Sequence, residues 1–279
     1  MNRLRPDRCP GVLRPWPADD GLLVRVRLPG GRVRATAMTG LLDIAERFGD
    51  GRIHVTSRSN LQIRAMPEVD GGLPDEVVRA VEATGLLPSR RHDLARNVMA
   101  SPQSGLAGGR ADLRAVVDTL DATVCADRRL ARLPGRFLFV LDDGRGDLVD
   151  RPCDLGMVAL DGETAQLRIA DGWGPTVALA DAPRSLADLA HRFLDLRGDD
   201  PGAAWHVHEL PTQIITPHQR SAAVPPPCPP LSHGPVPGGF HHPVADTGLD
   251  RDAVELLCAA APELVVTPWR GVLIPEETP

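Results

Sequence analysis

The chain has 279 residues, 42% of them apolar, and a formal net charge of −6. That length accommodates one large domain or two ordinary ones around a real hydrophobic core, and the acidic balance argues against a nucleic-acid surface. No apolar run approaches the length of a membrane span, and Met1-Asn2-Arg3-Leu4-Arg5-Pro6 is not followed by the apolar stretch of a signal peptide, so a cytoplasmic protein with no membrane partner is expected.

Residues 22–28 alternate apolar side chains with arginine, as a half-exposed strand does, and Pro29-Gly30-Gly31 turns them. Thr39 is a fitting N-cap for a helix carrying Leu41, Leu42, Ile44, Ala45 and Phe48, which Gly49 stops. Residues 52–57 and 60–65 read as two strands parted by Arg58-Ser59, and a short helix over 76–84 precedes Gly85. The stretch from Leu94 to Ser104 is polar and loop-like, whereas Leu113, Val116, Val117, Leu120 and Val124 recur at helical spacing. Leu133-Pro134-Gly135 leads into an apolar strand, Phe137 to Leu141, closed by Asp142-Asp143-Gly144. Strands are predicted at 154–160, 165–170 and 176–179, and a helix over 185–197. The prolines between 217 and 239 exclude helix or central strand there, leaving a linker. The chain then ends on a helix over 252–260 and strands at 263–267 and 271–274.

These elements form one β-α-β-β plan written twice. Pro29-Gly30-Gly31 recurs as Pro237-Gly238-Gly239 and Thr39-Gly40 as Thr247-Gly248 at one common offset. Thr56 and Ile63 recur as Thr267 and Ile274 at an offset three residues longer. Two copies do not make a solenoid. They predict a pseudo-two-fold domain in which each half covers the other's apolar face.

The chain contains no lysine and no tyrosine, so an anion site must use arginine, histidine or backbone N–H groups. Gln62 and Arg64 share one strand face, and Arg25 and Arg27 on a neighbouring strand join them. Such a face suits a polycarboxylate, because each guanidinium grips a carboxylate with two parallel hydrogen bonds. The same pattern also describes a plain solvated sheet face. Arg96 and Asn97 sit in the polar stretch, and Arg136 immediately precedes an apolar strand. The five cysteines, at 9, 125, 153, 228 and 258, stand far apart and suggest neither disulfides nor a metal site. His206 and His208 fall on one strand face, and no histidine spacing supplies three converging metal ligands.

Arg8-Cys9-Pro10-Gly11, Asp20-Gly21, Leu28-Pro29-Gly30-Gly31, Thr56-Ser57-Arg58, Leu61-Gln62-Ile63-Arg64, Arg96-Asn97-Val98 with Ser101-Pro102, Leu133-Pro134-Gly135-Arg136-Phe137 and Thr267-Pro268-Trp269-Arg270 together resemble the nitrite and sulfite reductase superfamily. Within it they are most similar to the precorrin-3B synthases of aerobic cobalamin biosynthesis. The resemblance implies an α+β fold: two ferredoxin-like half-domains forming one sheet layer, plus one middle α/β domain of the siroheme-reductase type. On this chain that means a first half-domain over 8–66, a middle domain over 90–212, a Pro-rich linker over 213–235 and a second half-domain over 236–277.

The resemblance also implies a tetrapyrrole, as substrate or as a siroheme-like cofactor. Arg58, Arg96 and Arg136 would grip its carboxylates, with Gln62, Arg64 and Asn97 completing the set and the three arginines converging on one cleft. No catalytic residue and no metal ligand is assigned. Arg136 stands where sulfite reductases have lysine, Leu138 where they have a second lysine, and Ala65 where a glycine is usual. The family's [4Fe–4S] cluster is held by a C-x5-C … C-x3-C pattern in a final domain, and none of the five cysteines stands in that pattern. The expectation is therefore an iron–sulfur-free portion of a precorrin-3B-synthase-like oxidoreductase, a fragment or split subunit that contributes tetrapyrrole binding beside a cluster-bearing partner chain. The reaction implied is oxygen-dependent hydroxylation and lactone formation on precorrin-3A. The alternative is a non-catalytic tetrapyrrole-binding or partner-docking protein of the same fold.

Overall fold

A computed structural model describes residues 7–200 and 202–276. In chain order its elements are β1 (Trp16–Ala18), β2 (Gly21–Val26), β3 (Arg32–Arg34), α1 (Ala35–Phe48), β4 (His54–Val55), β5 (Leu61–Met66), α2 (Asp75–Ala83), β6 (Val98–Ala100), α3 (Arg114–Ala126), β7 (Phe139–Asp142), β8 (Leu155–Ala159), β9 (Thr164–Ile169), β10 (Gly172–Ala178), α4 (Ala182–Arg197), β11 (Gly234–Val236), β12 (Gly239–Pro243), α5 (Arg251–Ala260), β13 (Glu263–Thr267) and β14 (Gly271–Pro275). They form two compact units. The repeat unit comprises Cys9–Asp93 and Leu231–Pro279, and the middle unit Leu94–Pro230 with the residues up to Arg8.

In the repeat unit the two copies are two sheets over one core. Copy one orders its strands β1-β2-β5-β4 and copy two β11-β12-β14-β13, so the topology is identical. The copies exchange one strand: β3, from the first half, pairs antiparallel with β13 at the edge of the second sheet. Val24, Val26, Leu61 and Ile63 of one sheet and Leu264, Val266 and Val272 of the other belong to a single buried cluster with Leu41 and Leu42 of α1 and Val254 and Leu257 of α5. The expected single sheet is thus two sheets sharing a core and a crossing strand. Burial alternates along β2, so Arg25 faces away from that core.

The first half of the sequence repeat does not join equivalent positions. Pro237-Gly238-Gly239 forms the β11–β12 hairpin turn, whose counterpart in copy one is the β1–β2 turn at Asp19-Asp20-Gly21. Pro29-Gly30-Gly31 instead forms a short 3-10 turn after β2, at the crossover into β3. A Cβ on Gly31 would lie 2.2 Å from the Val266 carbonyl oxygen, and one on Gly239 would lie 2.1 Å from that of Ile274. Both positions require glycine, for two different close approaches. The second offset holds: Thr56 N–H bonds Asn60 O, Thr267 and Gly271 are register partners, and Ser59 and Arg270 both take positive φ in the two turns.

Three further expectations change. Thr39 lies inside α1, which starts at Ala35 because the Pro262 carbonyl accepts its N–H, so a partner strand's end takes the place of a side-chain cap. Thr247 likewise caps nothing, and Asp250 accepts the Ala253 N–H at the start of α5. The Gly-, Pro- and His-rich stretch 233–242 forms the β11–β12 hairpin. Pro235 and Pro237 are tolerated because β11 is an edge strand that needs no second ladder.

In the middle unit the sheet runs β10-β9-β8-β7-β6, with β6, β7 and β8 parallel and β9 and β10 added antiparallel. Helices α3 and α4 cover one face, placing Val117, Leu120 and Val124, and Leu186, Ala190 and Phe193, against Phe139, Leu141 and Met157. Phe137 sits edge-on to Phe139 at 5.3 Å. The stretch read as a polar loop contains β6, whose three residues are too few to show periodicity. The Pro-rich stretch does not hang free as a linker. Its residues 218–228 are tied to the opposite sheet face, with Gln166 bonding Gln219 O and Ser221 N, and Cys228 N–H bonding Gly146 O.

Gly31→Ala should destabilise the protein by roughly 2 kcal/mol or more, because the methyl meets backbone that cannot retreat. Gly85→Ala, also at positive φ but with open space around it, should cost about 1 kcal/mol. Urea unfolding of the two variants measures the difference.

Candidate anion-binding residues

The six expected site residues divide evenly between the units. In the repeat unit, Arg25 and Gln62 are cross-strand partners on the face turned away from the core. The Arg25 fork donates to Gln62 Oε1 at 3.1 and 2.6 Å. Arg25 Nη1 and Arg27 Nη2 each approach Cys9 Sγ at 3.5 Å, so the segment at Cys9 covers this end of the face. Arg27 is buried, not solvated. Arg64 forks onto Asp20 at 3.0 and 3.3 Å, and that bond holds the Asp20 carboxyl below its ordinary value. Arg58 sits half-buried in the β4–β5 turn, whose shape comes from Thr56 Oγ1 accepting the N–H groups of Arg58 and Asn60.

In the middle unit, Arg96 points inward. Its Nε and Nη2 donate to the two carboxylate oxygens of Asp121 on α3, each at 2.7 Å. Its neighbour Asn97 pins the loop before β7, donating from Nδ2 to Gly135 O at 2.9 Å and to Leu94 O at 3.1 Å. Asp7 accepts Gly135 N–H at 2.6 Å and lies 3.7 Å from Arg136 Nε. The Arg136 side chain is 48% exposed, with its guanidinium carbon 5.3 Å above the Trp205 ring. Asn97 and Arg136 therefore serve one loop, and Arg96 turns away from it. Arg64, Arg96 and Arg136 each have a carboxylate close by: Asp20, Asp121 and Asp7.

Sequence reasoning missed what surrounds Arg136. His206 and His208 belong to a 3-10 turn, not a strand, and their rings stack at 5.3 Å. Asp154, buried at the start of β8, accepts N–H bonds from Leu138 and Val207 and lies 3.2 Å from His206 Nδ1. Against a carboxylate, Nδ1 is the donor of this bond. No pattern in the sequence joins residues so far apart. A cavity of about 330 Å³ beside His208 is lined by Ile169, Trp173, Leu210 and Ile215 among others. Arginine is absent from its lining, so it does not suit a carboxylate-rich ligand.

The loop after β7 gathers Asp142, Asp143 and Asp147 with carboxylate oxygens within 4.8 Å of one another. Its own chain satisfies it. Asp142 accepts three backbone N–H groups, from Gly144, Gly146 and Leu148, and Arg145 forks onto Asp143. Burial, then the neighbouring Asp142 charge, push the Asp147 carboxyl up to about 7, while Ser101 bonds it at 2.6 Å. None of the five cysteines is in a disulfide, and among the described residues the three aspartates are the only group of three or more metal-ligand side chains close enough to share an ion. The residues present do not fit a [4Fe–4S] cluster, which takes four converging thiolates.

The nitrite/sulfite reductase ferredoxin-like half domain matches residues 17–70, the first copy of the repeat. A precorrin-3B synthase from Sinorhizobium is 41% identical over 63 residues, which are 23% of this chain and 14% of that protein. A ferredoxin–nitrite reductase from Synechococcus elongatus is 28% identical over 134 residues, 46% of this chain and 26% of the relative. The solved Mycobacterium tuberculosis NirA protein superimposes with a TM-score of 0.68 at 18% identity, over 96% of this chain and 59% of that one. In its fold and in these matches the chain is similar to the nitrite/sulfite reductase superfamily, with residues 17–70 matching the superfamily's ferredoxin-like half domain. Each match spans less than two thirds of the relative's own length. Among the described residues no helix is long and apolar enough to cross a membrane.

Two outcomes follow from the paired groups. Asp121→Ala leaves the Arg96 charge buried without its carboxylate and should cost about 3 kcal/mol in urea unfolding, whereas the double variant Arg96→Met with Asp121→Leu should recover much of that loss. For Asp147 the folded state keeps a proton that the unfolded state releases near pH 4, so its contribution to stability falls as pH rises from about 4 to 7. Asp147→Asn should therefore flatten the stability–pH curve over that window and gain ~1–3 kcal/mol at pH 8.

Proposed function

We propose that this chain supplies tetrapyrrole-carboxylate contacts in an oxidoreductase of the precorrin-3B-synthase kind. The observation that carries the reading is Arg136, half exposed over Trp205 on a loop fixed by Asn97 and Asp7. The preceding residue, Gly135, is held at both its N–H and its carbonyl, so the Arg136 head is presented to a ligand without much ordering cost. Within the repeat unit, Arg58, Gln62 and Arg64 of the matched half domain are candidate carboxylate contacts in their own right. The ion pair of Arg64 with exposed Asp20 is exchangeable for a ligand carboxylate, because exposed pairs of this type are weak, and Arg136 keeps a half-exposed head 3.7 Å from the enclosed Asp7. Arg96 would first have to leave Asp121, so its contribution is smaller. The precorrin-3B synthase match supports the cobalamin assignment over nitrite or sulfite reduction. Redox chemistry would rest on a cluster-bearing partner chain, since these cysteines do not fit a cluster.

The test is titration of uroporphyrin, an octacarboxylate, followed by its absorption spectrum. Arg136→Ala and Arg58→Ala should each weaken binding roughly tenfold to a hundredfold, the value of one or two charge-assisted hydrogen bonds. Equal affinity in wild type and both variants would refute the site. Binding without turnover of precorrin-3A when a cluster-bearing chain is supplied would favour the second reading, a non-catalytic tetrapyrrole-binding protein.

A further inference from the structure

The prolines of residues 225–230, in the middle unit, have a conformation set by covalent geometry. Each ring holds φ at about −65°, and Val224, Pro225, Pro226, Cys228 and Pro229, each followed by proline, are steered to extended ψ. The segment is trans throughout and lies outside helix and strand, so it runs as polyproline II, a left-handed helix of three residues per turn. Burial follows that period. Pro225 is buried and Cys228, one turn on, is half-buried, whereas Pro226, Pro227, Pro229 and Pro230 are exposed. One of the three faces is turned to the protein and two are turned to solvent.

The inward face is anchored. Cys228 carries the only backbone N–H group between 225 and 230 and donates it to Gly146 O at 3.0 Å. A Cβ on Gly146 would lie 2.2 Å from Pro226 O, so glycine lets the segment seat against the loop after β7. Val224, just before the prolines, packs with Val149 and Val158. Arg110 donates to Ala223 O, and Arg220 donates to Pro225 O at 2.9 Å.

We propose that residues 226–230 are a docking ridge for a partner domain with a shallow groove lined by aromatic side chains. The outward residues form two Pro-Pro pairs, 226–227 and 229–230, one turn apart, and each pair fits one slot between neighbouring aromatic rings. Such grooves accept polyproline II because it has no internal hydrogen bonds to break and little conformational freedom to lose. Here the third face, which a free peptide leaves in water, is already seated on the protein, so the ordering cost is lower still. A charge sets the direction of docking. Arg220 is exposed at the N-terminal end of the ridge, and its bond to a carbonyl leaves its charge in place. The partner groove therefore carries a carboxylate beside the slot for Pro226-Pro227. The ridge is independent of the tetrapyrrole reading and draws on none of its residues.

The first probe is an SH3-type domain selected by display against a synthetic peptide of residues 217–231. By calorimetry the full chain should bind it about tenfold more tightly than the peptide does, because the ridge is pre-organised. Two double variants, Pro226→Ala with Pro229→Ala and Pro227→Ala with Pro230→Ala, should each weaken binding to the chain about tenfold or more. Cys228→Ala, altered on the inward face, should leave it unchanged. Circular dichroism checks that these variants keep the fold. Arg220→Gln should weaken binding and flatten its salt dependence, and equal affinity there would overturn the carboxylate assignment. A domain that binds the peptide but not the chain, or a Cys228→Ala loss as large as that of either double variant, would overturn the ridge. The second arm places a photo-crosslinking amino acid at position 227 in the cells that make this protein. The expected adduct is with a domain carrying an aromatic-lined groove, which after purification binds the wild type and neither double variant. An adduct only with a second copy of this chain, or none with such a domain, would overturn the proposal.

Discussion

The pairing of β3 with β13 is the contact on which the repeat unit depends. Neither half can bury its own sheet, because a few short strands and one helix leave an apolar face open. Residues 32–34 leave the first half through a glycine turn and become the edge of the second half's sheet, and the Pro262 carbonyl receives the first N–H of α1. With that strand in place, α1 and α5 lie together and Arg251 of α5 reaches Asp43 and Glu46 of α1. The ion pairs are exposed and contribute little. The shared aliphatic core is what makes the two copies one body.

The absence of lysine gives this core its electrostatic surroundings. Each cation is a planar guanidinium, and many are matched to carboxylates by forks, as at Arg64–Asp20, Arg90–Glu82 and Arg96–Asp121. A fork fixes direction as well as distance, so these arginines brace loops against helices and strands. Ligand-gripping and structural arginines therefore look alike in sequence. Burial separates them: Arg96 is enclosed with Asp121, whereas Arg136 is open over Trp205.

The acidic loop after β7 follows the same logic with opposite sign. Three carboxylates close together would repel one another, yet Asp142 is enclosed by backbone N–H groups, Asp143 by the Arg145 fork, and Asp147 is biased towards its protonated form. Backbone N–H groups and the Arg145 fork thereby hold an acidic cluster together beside a parallel sheet. The loop accepts a pH-dependent stability in return.

The elements with strong local patterns were readable from residues alone. The arginine alternation marked β2, the helical spacing of Val116, Leu120 and Val124 marked α3, and the apolar runs marked β7 and β13, because side-chain period follows backbone geometry directly. The two-fold plan was also legible, since Thr56 and Thr267 shape equivalent turns through their hydroxyls. Which glycine matched which was not. The glycines of residues 29–31 and 237–239 are both demanded by a neighbouring carbonyl, and only the folded chain shows which one. The expected site was named residue by residue, but what each guanidinium lies against was decided by tertiary structure: Asp121 for Arg96, Asp20 for Arg64, Asp7 and Trp205 for Arg136. The Asp154–His206 pair was invisible for the same reason. Sequence determined the local elements and the inventory of cations. Tertiary structure decided pairing and exposure, because those depend on contacts between residues that the linear pattern does not relate.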